Sequence, residues 1–221
     1  MSLELNKIHN IDCLEFMKTL PDKCIDWVIT DPPYGIDIGA MNFTSGKAGG
    51  VAKRNDYRGM ADWDNLKIEK EYFDEIFRIS KNQIIFGGNY YTDILPPTKS
   101  WLIWDKKTED KYRNDFADCE MAWCSTGQAR VFRFLWSGML QDNMKQKEPR
   151  FHPTQKPTDL MGKIISYYTK DEETIFDPFC GAGAVLIASK LLKRNYIGCE
   201  ISKEYCDIAE QRIKSISNTL F

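Results

Sequence analysis

The tetrapeptide Asp31-Pro32-Pro33-Tyr34 constrains this 221-residue chain more than any other stretch. Two consecutive prolines fix their own φ and disfavour helix for the residues before them. The run that leads into it, Cys24 to Thr30, is short, apolar and rich in β-branched and aromatic side chains, which predicts a buried strand. That strand must end on a stiff, extended lip carrying a carboxylate, a fixed carbonyl and a flat ring. In open α/β sheets, ligands bind outside the carboxyl ends of the strands. Such a lip could grip an amino group on an aromatic base. A turn with a helix-capping Asp is the simpler alternative, and a glycine motif near the other end of the chain weighs against it.

That motif is Asp177-Pro178-Phe179-Cys180-Gly181-Ala182-Gly183, set between the short strand 174–176 and a helix expected over Val185–Lys193. Glycines let the backbone approach a ligand closely, and a helix N-terminus adds partial positive charge. The spacing fails the dinucleotide fingerprint, because Leu186 stands where the third glycine belongs. No Gly-Lys-Ser/Thr follows, so a Walker loop fails too. A pyrophosphate ligand is disfavoured. Glu200 ends the next strand, Tyr196–Cys199, some twenty residues on, where an acid accepts ribose hydroxyls. A nucleoside without pyrophosphate fits the pair, and S-adenosylmethionine answers that description. The plainer role for Glu200 is to cap a turn.

Between these motifs, strand and helix alternate. Asn10 to Leu20 reads as a strand end running into a short helix, with Asp12 at its N-cap and Cys13, Phe16, Met17 and Leu20 as its inner face. An amphipathic helix spans Glu69 to Ser80, and strands follow at 83–86 and 101–104. The runs 120–124 and 130–136, separated by Ser125-Thr126-Gly127, read as a hairpin at the antiparallel edge. Thr158 is expected to cap a helix with Leu160, Met161, Ile164 and Ile165 inward, and Ser202 to cap the last helix. The pattern predicts an α/β fold: a doubly wound, mainly parallel sheet with an antiparallel edge hairpin. The length suits one domain, 1–221, with a catalytic half over about 1–136 and a cofactor half over about 150–221.

Net charge is −2, so nucleic-acid binding would have to rely on local patches. Two stretches qualify. Residues 35–62 interleave six glycines with Lys47, Lys53, Arg54 and Arg58, and residues 137–157 carry Lys145, Lys147, Arg150 and Lys156. The first reads as a substrate-side loop, with a plain insertion as its alternative. Seven cysteines without a C-x-x-C, and only two histidines, argue for reduced thiols and against a metal site. No apolar run has transmembrane length and no signal peptide is visible, which predicts a cytoplasmic protein without membrane contact.

Taken in order, these motifs resemble those of the β-class DNA amino-methyltransferases, in which the catalytic half precedes the cofactor half. Asp31-Pro32-Pro33-Tyr34 looks like that family's catalytic motif and Asp177–Gly183 like its S-adenosylmethionine motif. His152-Pro153-Thr154-Gln155-Lys156-Pro157 is similar to the segment that helps line the methionine end. Asn10-Ile11-Asp12 resembles the family's acid for the cofactor adenine, with Ile11 in place of the usual glycine.

The resemblance implies a Rossmann-like fold and methyl transfer from S-adenosylmethionine to the exocyclic N6 amine of adenine in DNA. Cytosine N4 is the nearest competitor, and a non-catalytic cofactor-binding subunit or regulator is the alternative of another class. Asp31, Pro32 and Tyr34 take the catalytic positions. Asp12, Thr154, Lys156, Asp177, Phe179, Gly181, Gly183 and Glu200 take the cofactor. Lys47, Lys53, Arg54, Arg58, Lys145, Lys147 and Arg150 take DNA. A homodimer and a cognate restriction endonuclease are the protein partners such relatives have. Residues 137–151 are too few for the target-recognition subdomain of sequence-specific relatives.

Overall fold

The computed structural model of the protein describes residues 3–35, 67–107, 117–137, 140–145, 147–151 and 155–217. The chain divides into two compact units, Met1–Pro32 with Lys70–Phe221, and Pro33–Glu69.

The first unit is built on a mixed sheet. Its strands are β1 (Lys7–His9), β2 (Ile25–Thr30), β3 (Ser80–Phe86), β4 (Trp101–Asp105), β5 (Cys119–Cys124) and β6 (Arg130–Arg133), followed by β9 (Thr174–Asp177) and β10 (Asn195–Cys199). Their order across the sheet is β1-β10-β9-β2-β3-β5-β4-β6, and β7 (Trp136–Ser137) with β8 (Leu140–Gln141) forms a separate small ladder. The first five strands of that order are parallel, and β5 runs antiparallel to both its neighbours. The helices are α1 (Cys13–Lys18), α2 (Lys70–Ile79), α3 (Thr158–Tyr168), α4 (Ala184–Leu191) and α5 (Lys203–Ser217).

Both sheet faces are covered, as the near-continuous apolar strands require. Trp27 and Ile29 of β2 join Ile84 and Phe86 of β3 in one cluster with α3 and α4. Val28 of β2 joins Phe176 of β9 and Ile197 of β10 in another, with α1 and α2. The doubly wound, mainly parallel sheet anticipated from the alternation is present. Among the described residues, no helix is long and apolar enough to cross a membrane.

Two local expectations need correction. The hairpin does not join 120–124 to 130–136, because β4 lies between them. β5 pairs antiparallel with β4, with Trp104 opposite Glu120, and β6 pairs parallel with the other side of β4, with Trp104 opposite Phe132. Burial explains the order. Leu102 and Trp104 of β4 are buried, which requires an interior strand, whereas β6 carries Arg130, Arg133 and an exposed Val131. A polar strand of that kind belongs at an edge. The second correction concerns α3. Pro157 holds its N-cap position and Thr158 is already helical. The acceptor comes from outside: Glu148 Oε2 takes the Thr158 N–H at 2.9 Å and Oε1 takes its hydroxyl at 2.6 Å. Ser202 does cap α5, accepting from Tyr205 N–H at 3.4 Å.

Candidate active site

The crossovers place the site. From β9 the chain passes through α4 to β10 on one side, and from β2 it passes to β3 on the other. The boundary between β9 and β2 is therefore a topological switch point, where a crevice opens at the carboxyl ends. Both Asp-Pro turns sit there: Asp31-Pro32 follows β2 and Asp177-Pro178 ends β9. Thr30 Oγ1 donates to Asp177 Oδ1 at 2.7 Å, which joins the two strand ends directly.

On the β9 side, Asp177 Oδ1 also accepts from Phe179 N–H at 3.1 Å. Burial pushes its carboxyl up to about 7, against the pull of these two donors. Glu200 clamps the glycine turn. Its Oε2 accepts from Gly181 N–H at 3.0 Å and its Oε1 from Ser202 N–H at 2.7 Å. Burial raises the Glu200 carboxyl as well, while the backbone donors lower it. Gly181 has φ +48° and Gly183 φ +81°, both in the left-handed region that glycine adopts without strain. At Gly183 a Cβ would come within 3.0 Å of Ala209 Cβ, whereas at Gly181 it would meet nothing within 4 Å among the described residues. Gly183 caps α4 without a side-chain acceptor, which leaves the helix start to backbone and ligand groups.

Asp12 caps α1, with Oδ1 accepting from Leu14 N–H at 2.8 Å and Glu15 N–H at 3.3 Å. Its Oδ2 lies 3.4 Å from the Tyr72 hydroxyl. The Tyr72 and Phe179 rings are 6.1 Å apart at 34°. An acid and two rings at this end suit a nucleoside, and the start of α4 behind the open Gly181 suits a carboxylate tail. The residues present fit S-adenosylmethionine.

On the β2 side, the Lys156 ammonium forms an ion pair with Asp31 Oδ2 and a second one, at 3.2 Å, with Glu120 Oε2. It also lies 5.4 Å from the Phe86 ring centroid. Lys106 Nζ reaches the other oxygen of Glu120 at 2.5 Å. Lys156 is 8% exposed, so an unpaired charge there would be costly. Burial works against the ammonium, but the two carboxylates outweigh it and hold Lys156 charged well beyond the usual lysine range. Burial likewise opposes the charge on Glu120, and its two lysines overcome that and keep the carboxyl below its ordinary value. Lys156, expected beside the cofactor, thus has its ammonium on Asp31.

Pro32 is buried beside Asp31. Pro33 and Tyr34 open the second unit, where Gly35 has φ +69° and packs so close to Lys67 that a Cβ would lie 2.7 Å from its nitrogen. Lys145 and Lys147 are exposed, whereas Arg150 lies 4.5 Å from the Trp136 ring centroid. Thr154, Lys47, Lys53, Arg54 and Arg58 fall outside the described residues. The sequence reading missed Glu120, Thr30 and Tyr72. A charged residue opening an otherwise apolar strand was the one visible sign of Glu120.

Residues 81–211, more than half of the chain, match the N6_N4_Mtase family model, described as DNA methylase. Type II methyltransferase M.HinfI of Haemophilus influenzae is 29% identical over 96% of this chain and 69% of its own length. Type II methyltransferase M2.MboI of Moraxella bovis is 27% identical over 96% of this chain and 89% of its own. The crystal structure of the M1.HpyAVI–SAM complex matches with a TM-score of 0.58 at 25% identity, covering 93% of this chain and 98% of that one. The cytosine-N4-specific PvuII DNA methyltransferase shares the fold at 13% identity, with a TM-score of 0.61 over 98% of this chain and 92% of that one. This chain belongs to the DNA methylase family of N6/N4 amino-methyltransferases, enzymes with a Rossmann-like sheet and S-adenosylmethionine as cofactor.

Proposed function

We propose that the protein methylates the exocyclic N6 amine of adenine in DNA, within one methyltransferase domain. The observation that carries this reading is the pairing of two Asp-Pro turns at one switch point, one leading into the glycine turn clamped by Glu200 and the other holding a carboxylate against a buried lysine. The bound cofactor supplies an electrophilic methyl group.

The remaining work falls to this chain's residues. The exocyclic amine is conjugated into its ring and is a poor nucleophile. Asp31 and the Pro32 carbonyl accept its two N–H groups, which draws the nitrogen towards tetrahedral geometry and frees its lone pair. The negative charge of Asp31 then stabilises the positive charge that develops on that nitrogen. Asp31 or water takes the proton released. Lys156, held charged, acts as a counter-ion and does not compete for that proton. The base must leave the duplex, at a cost of a few kcal/mol. Tyr34 stacks on it, worth roughly 1–3 kcal/mol. Asp12 and Phe179 hold the cofactor's adenine end, Glu200 its ribose, and Asp177, Gly181, Gly183 and Thr154 its methionine end. A homodimer and a cognate restriction endonuclease complete the proposed partners.

Tritiated methyl transfer to unmethylated DNA, followed by nucleoside analysis, tests this. N6-methyladenine is expected, abolished by Asp31→Ala with cofactor binding kept. N4-methylcytosine would assign the other base, and no label in either base would refute transfer to DNA.

A further inference from the structure

Glu120 stands outside every motif, yet it completes the charge cluster behind Asp31. Lys106, Glu120, Lys156 and Asp31 alternate in sign, and Lys156 touches both acids at once. We infer that Glu120 is a positioning residue for methyl transfer: it shares the Lys156 ammonium with Asp31, and so sets how firmly that lysine holds the acid that must accept the target amine. This rests on the proposed function of the same site.

The argument is geometric and electrostatic. Glu120 sits on β5 opposite Trp104, and the antiparallel pairing of β5 with β3 brings it to the edge where β2 and β3 end. Its two oxygens are divided between Lys106 and Lys156. With Glu120 neutral, the buried Lys156 keeps Asp31 as its one carboxylate partner among the described residues. Charge attraction and hydrogen bonding then concentrate on Asp31 Oδ2, in competition with the incoming amine. Lys106 pairs with the other Glu120 oxygen, its ammonium 5.1 Å from the Trp104 ring centroid, and as a cation it cannot take the place of a carboxylate beside Lys156.

The isosteric Glu120→Gln variant tests this, alone and combined with Lys156→Met in a double-mutant cycle. Glu120→Gln is expected to lower kcat about tenfold or more, with the cofactor KM within about threefold of wild type. The double variant should be no slower than Lys156→Met alone, since Glu120 acts through that lysine. An unchanged kcat, or losses that multiply, would overturn the inference. Thermal unfolding of the cofactor-free protein supplies a second cycle. Glu120→Gln should lower the midpoint, and adding Lys156→Met should cost less than it does in wild type. Additive shifts would show that the pair is uncoupled and overturn the inference even in an active enzyme. If the wild-type protein transfers no methyl group to DNA while the melting cycle stays coupled, the functional reading fails and the positioning role falls with it, but the contact stands.

Discussion

Thr30 Oγ1 donates a 2.7 Å hydrogen bond to Asp177 Oδ1 across the boundary between β2 and β9. The two residues are 147 positions apart in sequence, and each directly adjoins the turn that defines its half of the site. The bond adds a side-chain tie between the carboxylate lip and the first residue of the glycine motif, beyond the β2–β9 ladder.

Thr30→Val keeps the shape and removes the donor. A buried acceptor that loses one partner costs about 1–3 kcal/mol. Urea denaturation should show a loss of that size, with weaker cofactor binding by calorimetry. Identical denaturation curves would mean that the β2–β9 ladder and packing hold the two strand ends without this bond.

Asp177 gives the protein a pH-dependent stability. Its carboxyl is raised from 3.8 to about 7, so between those values the folded chain holds a proton that the unfolded chain has released. The contribution is complete below the unfolded value and is lost as pH rises through about 7. Asp177→Asn keeps an acceptor for Thr30 and Phe179 but does not titrate. Between pH 5.5 and pH 8 the wild type should lose more stability than the variant. Parallel curves would contradict the burial of a titrating group.

Glu200→Ala removes the acceptors of Gly181 and Ser202 together with the proposed ribose contact. Cofactor affinity is expected to fall about tenfold or more, the scale of losing a hydrogen bond to a charged group. Calorimetry measures it directly, and wild-type affinity in the variant would detach Glu200 from the cofactor.

The basic residues should divide by what they touch. Lys145 and Lys147 are exposed, and neutralising both should reduce the salt slope of DNA binding by up to about 0.9 for each lost phosphate contact. Arg150→Ala should also lower the melting temperature, because its guanidinium packs on Trp136. The same salt measurement applies to Lys53, Arg54 and Arg58, and an unaltered slope would take any of these residues off the DNA surface.

The sequence by itself determined the class of fold and where the motifs of the candidate site fall on its elements. Proline pairs, glycine spacing and apolar runs act locally, so Asp31-Pro32 after β2, the Gly181–Gly183 turn before α4 and Asp12 at the start of α1 could be read without a fold. The tertiary structure decided what depends on contacts distant in sequence. It placed β4 between β5 and β6, because burial of Leu102 and Trp104 is settled only when the sheet assembles. It replaced a local Thr158 cap with Glu148, ten residues earlier. Above all it brought Lys156 to Asp31 and Glu120 to Lys156, since ion pairs between residues distant in sequence leave no periodic trace in the chain. Motifs record which groups a site needs. Which charge stands behind which is decided by how segments distant in sequence meet at the ends of the strands.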